Sequence, residues 1–214
     1  MSEAFEQAES PLVKVLALSE DYRYKQSFRV MRARLQYRRF DGTLSEPVTR
    51  LDFARGKAVG VLLYDRALDA VLLVRQFRYP VFASLAAEEQ SGTDVKQAWL
   101  LEIVAGVQEE GLDAVAVARK ELLEEVGYEL KNEPRLIATF YPSPGGSSES
   151  ITLFWAEVSP GERTGPGGGL VAEGEDTELV SLPLARALAM ISSGEIRDAK
   201  TIIALQHLAL ADKR

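Results

Sequence analysis

Cysteine is absent from the 214 residues, which removes disulfides, thiolate nucleophiles and cysteine-ligated zinc together. Histidine occurs once: His207 lies among Leu205, Leu208 and Leu210 in the last apolar-periodic segment and reads as a partly buried structural residue. No apolar run approaches the length of a membrane span, and the opening "MSEAFEQAES" is acidic and polar, so neither a spanning helix nor a secretory signal is expected. A cytoplasmic setting follows as the expectation. A basic excess is lacking as well: 25 basic against 32 acidic residues leave a net charge of −7, which argues against nucleic acid as a partner, because neutralising phosphates needs the opposite balance.

What is present is enough apolar material for a substantial core, 46% of the chain, consistent with one main globular unit. One local exception to the acidic balance stands out. From Tyr22 to Phe40 the chain carries Arg23, Lys25, Arg29, Arg32, Arg34, Arg38 and Arg39 with no acid, a basic face suited to an anionic small molecule.

Periodicity supplies the elements. "SFRVMRARLQYRRF" alternates apolar and polar residues as a strand with one wet face does, and Asp41-Gly42 turns it towards a second extended run at Val48 to Phe53. Ala58 to Tyr64 and Ala70 to Val74 are apolar runs joined by "DRALD", a hairpin of buried strands; "ASLAAEEQSGTDVKQ" reads as a loop and "WLLEIVAG" as one short strand. Asp113 is a good N-cap, Val115, Ala118, Leu122 and Val126 form a helical stripe, and Gly127 sits where such a helix ends. "RLIATFYPSPGG" and "SITLFWAEV" predict strands around a Pro/Gly turn, "GERTGPGGGLVAEGED" a flexible loop, and "TELVSLPL" a last strand. Helices over Pro183 to Ser193 and from an Asp198 cap to Ala211 complete the pattern. Strands before, between and after helices imply an α/β fold with a mixed sheet covered on both faces.

The predicted helix crowds Glu121, Glu124 and Glu125 onto one turn in i, i+3, i+4 relation, where like charges repel. A divalent cation turns that repulsion into a binding site, and carboxylate oxygens suit Mg²⁺ or Mn²⁺. A solvated amphipathic face is the plainer explanation of such a run. "GPGGG" lacks the Lys-Ser/Thr of a phosphate-binding loop, and no strand-bound G-x-S-x-G supplies a nucleophilic serine.

The spacing decides between them, because "GVQEEGLDAVAVARKELLEEVGY" resembles the Nudix box, G-x5-E-x7-R-E-U-x-E-E-x-G-U with U aliphatic or aromatic. Gly106, Glu121, Leu122, Glu124, Glu125, Gly127 and Tyr128 fall in register, while Leu112 replaces the first glutamate and Lys120 the arginine. Flanking stretches, "YPSPGGSSES", "AEGEDTEL" and "GEIRDAKTIIALQHL", are similar to the branch of that family containing ADP-ribose pyrophosphatases, with GDP-mannose and other nucleoside-diphosphate-sugar hydrolases nearby. The resemblance implies a Nudix-type α/β/α sandwich with a mixed sheet over residues 57–214. It also implies an N-terminal antiparallel strand segment over residues 1–56 for dimerisation and substrate contacts.

It further implies Mg²⁺-dependent hydrolysis of ADP-ribose to AMP and ribose 5-phosphate, with Mn²⁺ as the other metal. GDP-mannose or a broader set of nucleotide sugars is the alternative substrate, and a non-catalytic nucleotide sensor the alternative class. Carried over residue by residue, Glu121 and Glu125 are the main metal ligands, Glu124 is a catalytic residue that shares a metal or binds it through water, and the Ala105 carbonyl adds a ligand. Glu149, after the Ser143-Pro144-Gly145-Gly146 turn, is the general base, with Glu175 in reserve. Arg50, Arg55, Arg75 and Arg78 are the cations for the diphosphate, Arg78 first because its fork suits phosphate oxygens, and Phe28 is the surface for the base. A homodimer is the implied assembly.

Overall fold

The computed structural model describes residues 12–25, 28–109 and 111–211, with the backbone alone at Glu173. "MSEAFEQAES", on which the expectation of no signal segment rests, lies outside the described residues. Among the described residues no helix is long and apolar enough to cross a membrane.

The chain divides into two compact units. Residues up to Gly56 together with Tyr141–Ser150 form one, and Lys57–Phe140 with Ile151 onward form the other.

The first unit is a three-stranded antiparallel sheet of β1 (Val13–Tyr24), β2 (Phe28–Tyr37) and β3 (Val48–Ala54), in that order. Periodicity predicts β2 and β3, with β3 one residue longer in the structure; β1 is an addition, because its apolar residues are interrupted by "SED" and carry no clean alternation. Every residue of β1 is exposed, and the strand is the edge of its sheet. The Ser-Pro-Gly-Gly turn is pinned to β3: the Phe53 N–H donates to the Gly146 carbonyl (2.9 Å), Ser147 Oγ to the Phe53 carbonyl (2.7 Å), and the Ser148 N–H to Asp52 Oδ1 (2.7 Å). Glu149 is thereby placed at the end of a fixed turn.

The second unit is an α/β/α sandwich. Its seven-stranded mixed sheet contains β4 (Lys57–Asp65), β5 (Ala70–Phe77), β6 (Trp99–Glu102), β7 (Val104–Val107), β8 (Arg135–Phe140), β9 (Ser150–Glu157) and β10 (Thr177–Pro183). Alternation assigns the two faces. Val59, Val61 and Leu63 of β4, Leu72 and Val74 of β5 and Phe154 and Ala156 of β9 pack with Val117, Ala118, Leu122 and Val126 of one helix, residues Ala114–Val126. Leu62 and Tyr64, Val71 and Leu73, and Leu153 and Trp155 point the other way, onto helices Leu184–Ser193 and Ala199–Ala211. This is the period of two that a sheet buried on both faces requires.

Two expectations change. "ASLAAEEQSGTDVKQ" and the residues before it are not bare loop but α1 (Tyr79–Ser84), α2 (Ala87–Ser91) and a 3₁₀ turn (Thr93–Ala98); each is a turn or two long, too short to show an amphipathic period. "WLLEIVAG" is two strands, since β6 pairs with β5 and β7 with β4. The break falls at Ile103, whose N–H donates to Thr201 Oγ1 (2.9 Å) rather than to the sheet.

The long helix, α3 (Ala114–Val126), begins as expected: Asp113 accepts the Ala116 N–H (2.8 Å), satisfying one of the unpaired first-turn donors. It ends at Gly127 in the left-handed conformation, φ 72°. The helices α4 (Leu184–Ser193) and α5 (Ala199–Ala211) complete the unit, α5 entered from Asp198, whose Oδ2 accepts the Thr201 N–H (2.9 Å).

Candidate active site

The acidic turn of α3 is divided by its packing. Glu121 and Glu124 are half-buried, whereas Glu125 is 4% exposed among the core residues of the helix. Its Oε2 has no hydrogen-bond partner among the described residues. An unpartnered buried carboxylate oxygen is costly, and burial first, then the charges of Glu121 and Glu175, push the Glu125 carboxyl up to about 8 while Arg78 opposes the rise.

Glu121 is set by contact with β7. A Cβ on Gly106 would stand 2.0 Å from Glu121 Oε1 and 2.1 Å from its Cδ, so the position is open only because residue 106 is glycine. Ala105, beside it, pairs with Gly60 of β4. The donor set is therefore a row of oxygen groups where α3 crosses β7, with a carboxylate lacking its partner, and it fits a hard divalent cation. Among the described residues no group of three acidic or histidine side chains closes to coordination distance.

Beside Glu125 lies an ionic network the sequence reading did not find. Glu102, 2% exposed, accepts a fork from Arg78, Nε at 2.7 Å and Nη2 at 2.9 Å. It also takes the Lys200 ammonium of α5, which in turn holds Asp198 Oδ1 at 2.9 Å. Burial alone would raise the Glu102 carboxyl; Arg78 and Lys200 outweigh it and hold it at about 2. Burial likewise lowers the Arg78 guanidinium and Glu102 more than restores it. An acid inside "WLLEIVAG" is the signal available in sequence, since a buried strand admits a carboxylate only with its counter-charge.

A second device missed in sequence answers the two departures from the box. Leu112 is exposed and leaves no buried charge behind, and Lys120 is paired with Glu109, three residues before the position of the missing acid. That bond, then the charges of Glu124 and Glu121, raise the Lys120 ammonium.

The other expected residues fall in two places. In the first unit, Phe28 packs on Phe53 (5.7 Å between ring centroids), the Arg55 guanidinium lies 5.1 Å from the Phe28 centroid, and Arg55 Nη1 is 3.6 Å from Glu149 Oε1. These three form one cluster, with Glu149 only 16% exposed. Arg50 is exposed on β3 and donates to the Thr49 carbonyl (3.1 Å). In the second unit, Arg75 pairs across strands with Glu178 (2.9 Å), which leaves Arg78 as the cation whose charge acts on Glu125.

The stretch expected as a flexible loop is instead held to the end of α3. The Thr164 and Gly165 N–H groups donate to the Gly127 carbonyl (2.8 and 3.1 Å), Gly168 N–H to Glu125 (2.8 Å) and Gly169 N–H to Glu124 (3.1 Å). Composition suggested flexibility; the helix's unpaired terminal carbonyls supply the partners that order it. Glu175 follows in the same stretch, its Oε2 accepting the Leu170 N–H (3.0 Å).

The model of the NUDIX domain matches residues 54–204. A GDP-mannose pyrophosphatase of Citrobacter koseri is 42% identical over 156 residues, 73% of this chain and 75% of that protein. The GDP-mannose pyrophosphatase of Shigella flexneri is 39% identical over 159 residues, 74% and 76% of the two chains. In fold, the crystal structure of an ADP compounds hydrolase superimposes with a TM-score of 0.69 at 18% identity, covering 96% of this chain and 97% of that one. With the box on α3, the sandwich around it and a family model spanning most of the chain, this protein belongs to the Nudix family of pyrophosphohydrolases.

Proposed function

We propose that the protein hydrolyses the pyrophosphate bond of a nucleoside diphosphate linked to a sugar, with GDP-mannose as the preferred substrate class. The observation that carries the chemistry is Glu125: a buried carboxylate with an unpartnered oxygen and a raised proton affinity, beside Glu121 in the cradle left by Gly106. The relatives that are 39 to 42% identical and named GDP-mannose pyrophosphatases favour that nucleotide. ADP-ribose, giving AMP and ribose 5-phosphate, is the second reading, supported by the resemblance of "YPSPGGSSES" and "AEGEDTEL" to that branch.

Glu121 and Glu125, with Glu124 and the Ala105 carbonyl, would hold Mg²⁺ or Mn²⁺, which supplies charge neutralisation at the phosphates and a more acidic water. The chain's own groups do the rest. Arg78, fixed by Glu102, presents a positioned cation near the acids. Glu149, oriented by Arg55 and the pinned turn, is proposed as the base that accepts the water's proton, with Glu175 as the other candidate. Arg55 and Phe28 offer a cation and an aromatic face for diphosphate and base. Arg50 and Arg75 are exposed secondary contacts.

A homodimer through the first unit is proposed because β1, an edge strand twelve residues long, exposes Val13, Val15, Leu18, Tyr22 and Tyr24, and such an edge calls for cover. The lack of cysteine accords with a cytoplasmic setting.

The test is turnover of GDP-mannose, ADP-ribose, UDP-glucose, NADH and diadenosine polyphosphates with Mg²⁺ or Mn²⁺, the nucleotide products separated by chromatography. Preference for GDP-mannose is expected; greater kcat/KM for ADP-ribose selects the second reading. Binding without turnover of any compound overturns the enzymatic proposal in favour of a sensor.

A further inference from the structure

The glycines before β10 are given no role in the function just proposed, yet their backbone is hydrogen-bonded to the acidic turn. The last carbonyls of α3 lack intrahelical partners, and two of them belong to Glu124 and Glu125. The Glu124 carbonyl accepts from Gly169 N–H (3.1 Å), and the Glu125 carbonyl accepts from Gly168 N–H (2.8 Å) and from Thr177 Oγ1 (3.3 Å). Gly167, Gly168 and Gly169 all have positive φ, 66°, 104° and 79°, a run that residues with a side chain do not adopt at low cost. A Cβ on Gly167 would stand 2.6 Å from both the Glu125 carbonyl oxygen and Val126 Cα. Backbone therefore lies on backbone with no room for a methyl group. The side chain held this way is the one whose Oε2 is buried without a partner.

We infer that Gly167, Gly168, Gly169 and Thr177 are positioning residues that hold the last turn of α3 so that Glu124 and Glu125 present their carboxylates to a divalent cation. The inference rests on the metal-binding reading of those acids. The same segment carries Glu175, held through Leu170 N–H and tightly apposed to Gly169, where a Cβ would lie 2.7 Å from Glu175 Cβ. Docking the segment thus brings a further carboxylate towards Glu125. Like charges oppose docking and a cation relieves them, so cation binding and docking strengthen each other by linkage.

The experiment uses the full chain, with Mn²⁺ binding followed by electron paramagnetic resonance of the free ion. Hydrogen exchange at the Gly168 and Gly169 amides is measured with and without Mg²⁺, and melting is recorded in chelator. Gly167→Ala is expected to weaken Mn²⁺ binding by about 10- to 100-fold, the usual effect of disturbing groups that orient metal ligands. Thr177→Val, which keeps shape and loses the hydroxyl, is expected to weaken it by roughly 3- to 10-fold, the worth of one neutral hydrogen bond, whereas Thr177→Ser, which keeps the donor, restores it. Mg²⁺ should slow exchange at both glycine amides in the wild type.

Wild-type Mn²⁺ affinity in folded Gly167→Ala, or equal affinities for Thr177→Val and Thr177→Ser, overturns the inference and leaves the metal reading standing. If Gly167→Ala does not fold, the Thr177 pair decides. A wild-type protein that binds no Mn²⁺ overturns both.

Discussion

Replacing Glu125 with glutamine tests the electrostatics of the site most directly, because it can be read without substrate. A carboxyl raised from the ordinary 4.5 to about 8 binds its proton more tightly in the folded than in the unfolded chain. Its contribution is therefore intact below about pH 4.5 and is lost as pH rises through 8. At about 1.4 kcal/mol for each pKa unit, the cation-free protein gives up roughly 5 kcal/mol at this residue between those limits. Glutamine cannot ionise, so Glu125→Gln removes the slope. Its amide retains a desolvation cost of about 1–3 kcal/mol, leaving a net gain of about 2–4 kcal/mol at pH 8. For a chain of this length that corresponds to roughly 5–15 °C in Tm. The assay is thermal unfolding in chelator from pH 5 to 8.5, repeated with excess Mn²⁺. Wild type should lose stability across the range and recover it with Mn²⁺; the variant should do neither. Parallel pH curves for the two proteins in chelator would refute the account of Glu125 as a buried, uncompensated acid.

Glu149→Gln should leave Mn²⁺ affinity unchanged and lower kcat by about 10²- to 10⁴-fold; near-normal turnover would transfer the base role to Glu175. Glu102→Gln leaves Lys200, 12% exposed, and Arg78 without their shared anion and should cost about 3–5 kcal/mol in denaturant unfolding at neutral pH. Because Glu102 is held at about 2, its stabilisation is present above pH 4.5 and lost as pH falls through 2, so the wild type should acid-unfold while Glu102→Gln, already weakened, lacks that step. Leu18→Glu, placing a charge on the exposed apolar edge of β1, should shift the sedimentation coefficient from dimer to monomer; a monomeric wild type would remove β1 as an assembly surface.

The elements that could be read from the chain are those whose local pattern suffices. The strands at Val48, Ala58 and Ala70, the Asp113 cap, the α3 stripe and the Gly127 stop all depend on spacing within a few residues. β1 escaped because its twelve residues are all exposed, so no alternation between wet and buried faces marks them. α1 and α2 escaped because they are too brief for a 3.6-residue period.

At the site, the i, i+3, i+4 placement of Glu121, Glu124 and Glu125 is a property of sequence, since a helix repeats every 3.6 residues wherever it lies. Their different characters are not. Glu125 is buried and Glu124 half-buried because α3 rotates one stripe onto Val61, Leu72 and Val74, contacts dozens of residues away along the chain. Glu102 and Lys200 are 98 residues apart, and only the packing of α5 against β6 joins them; the same holds for Glu109 beside Lys120 and for the glycines on the end of α3. Spacing along the chain is enough to put Glu121, Glu124 and Glu125 on one helical turn and to match them to the family's box. Tertiary structure decided which of them is desolvated and what holds it, because burial and counter-charge are set by residues that meet only when the sheet and its helices close.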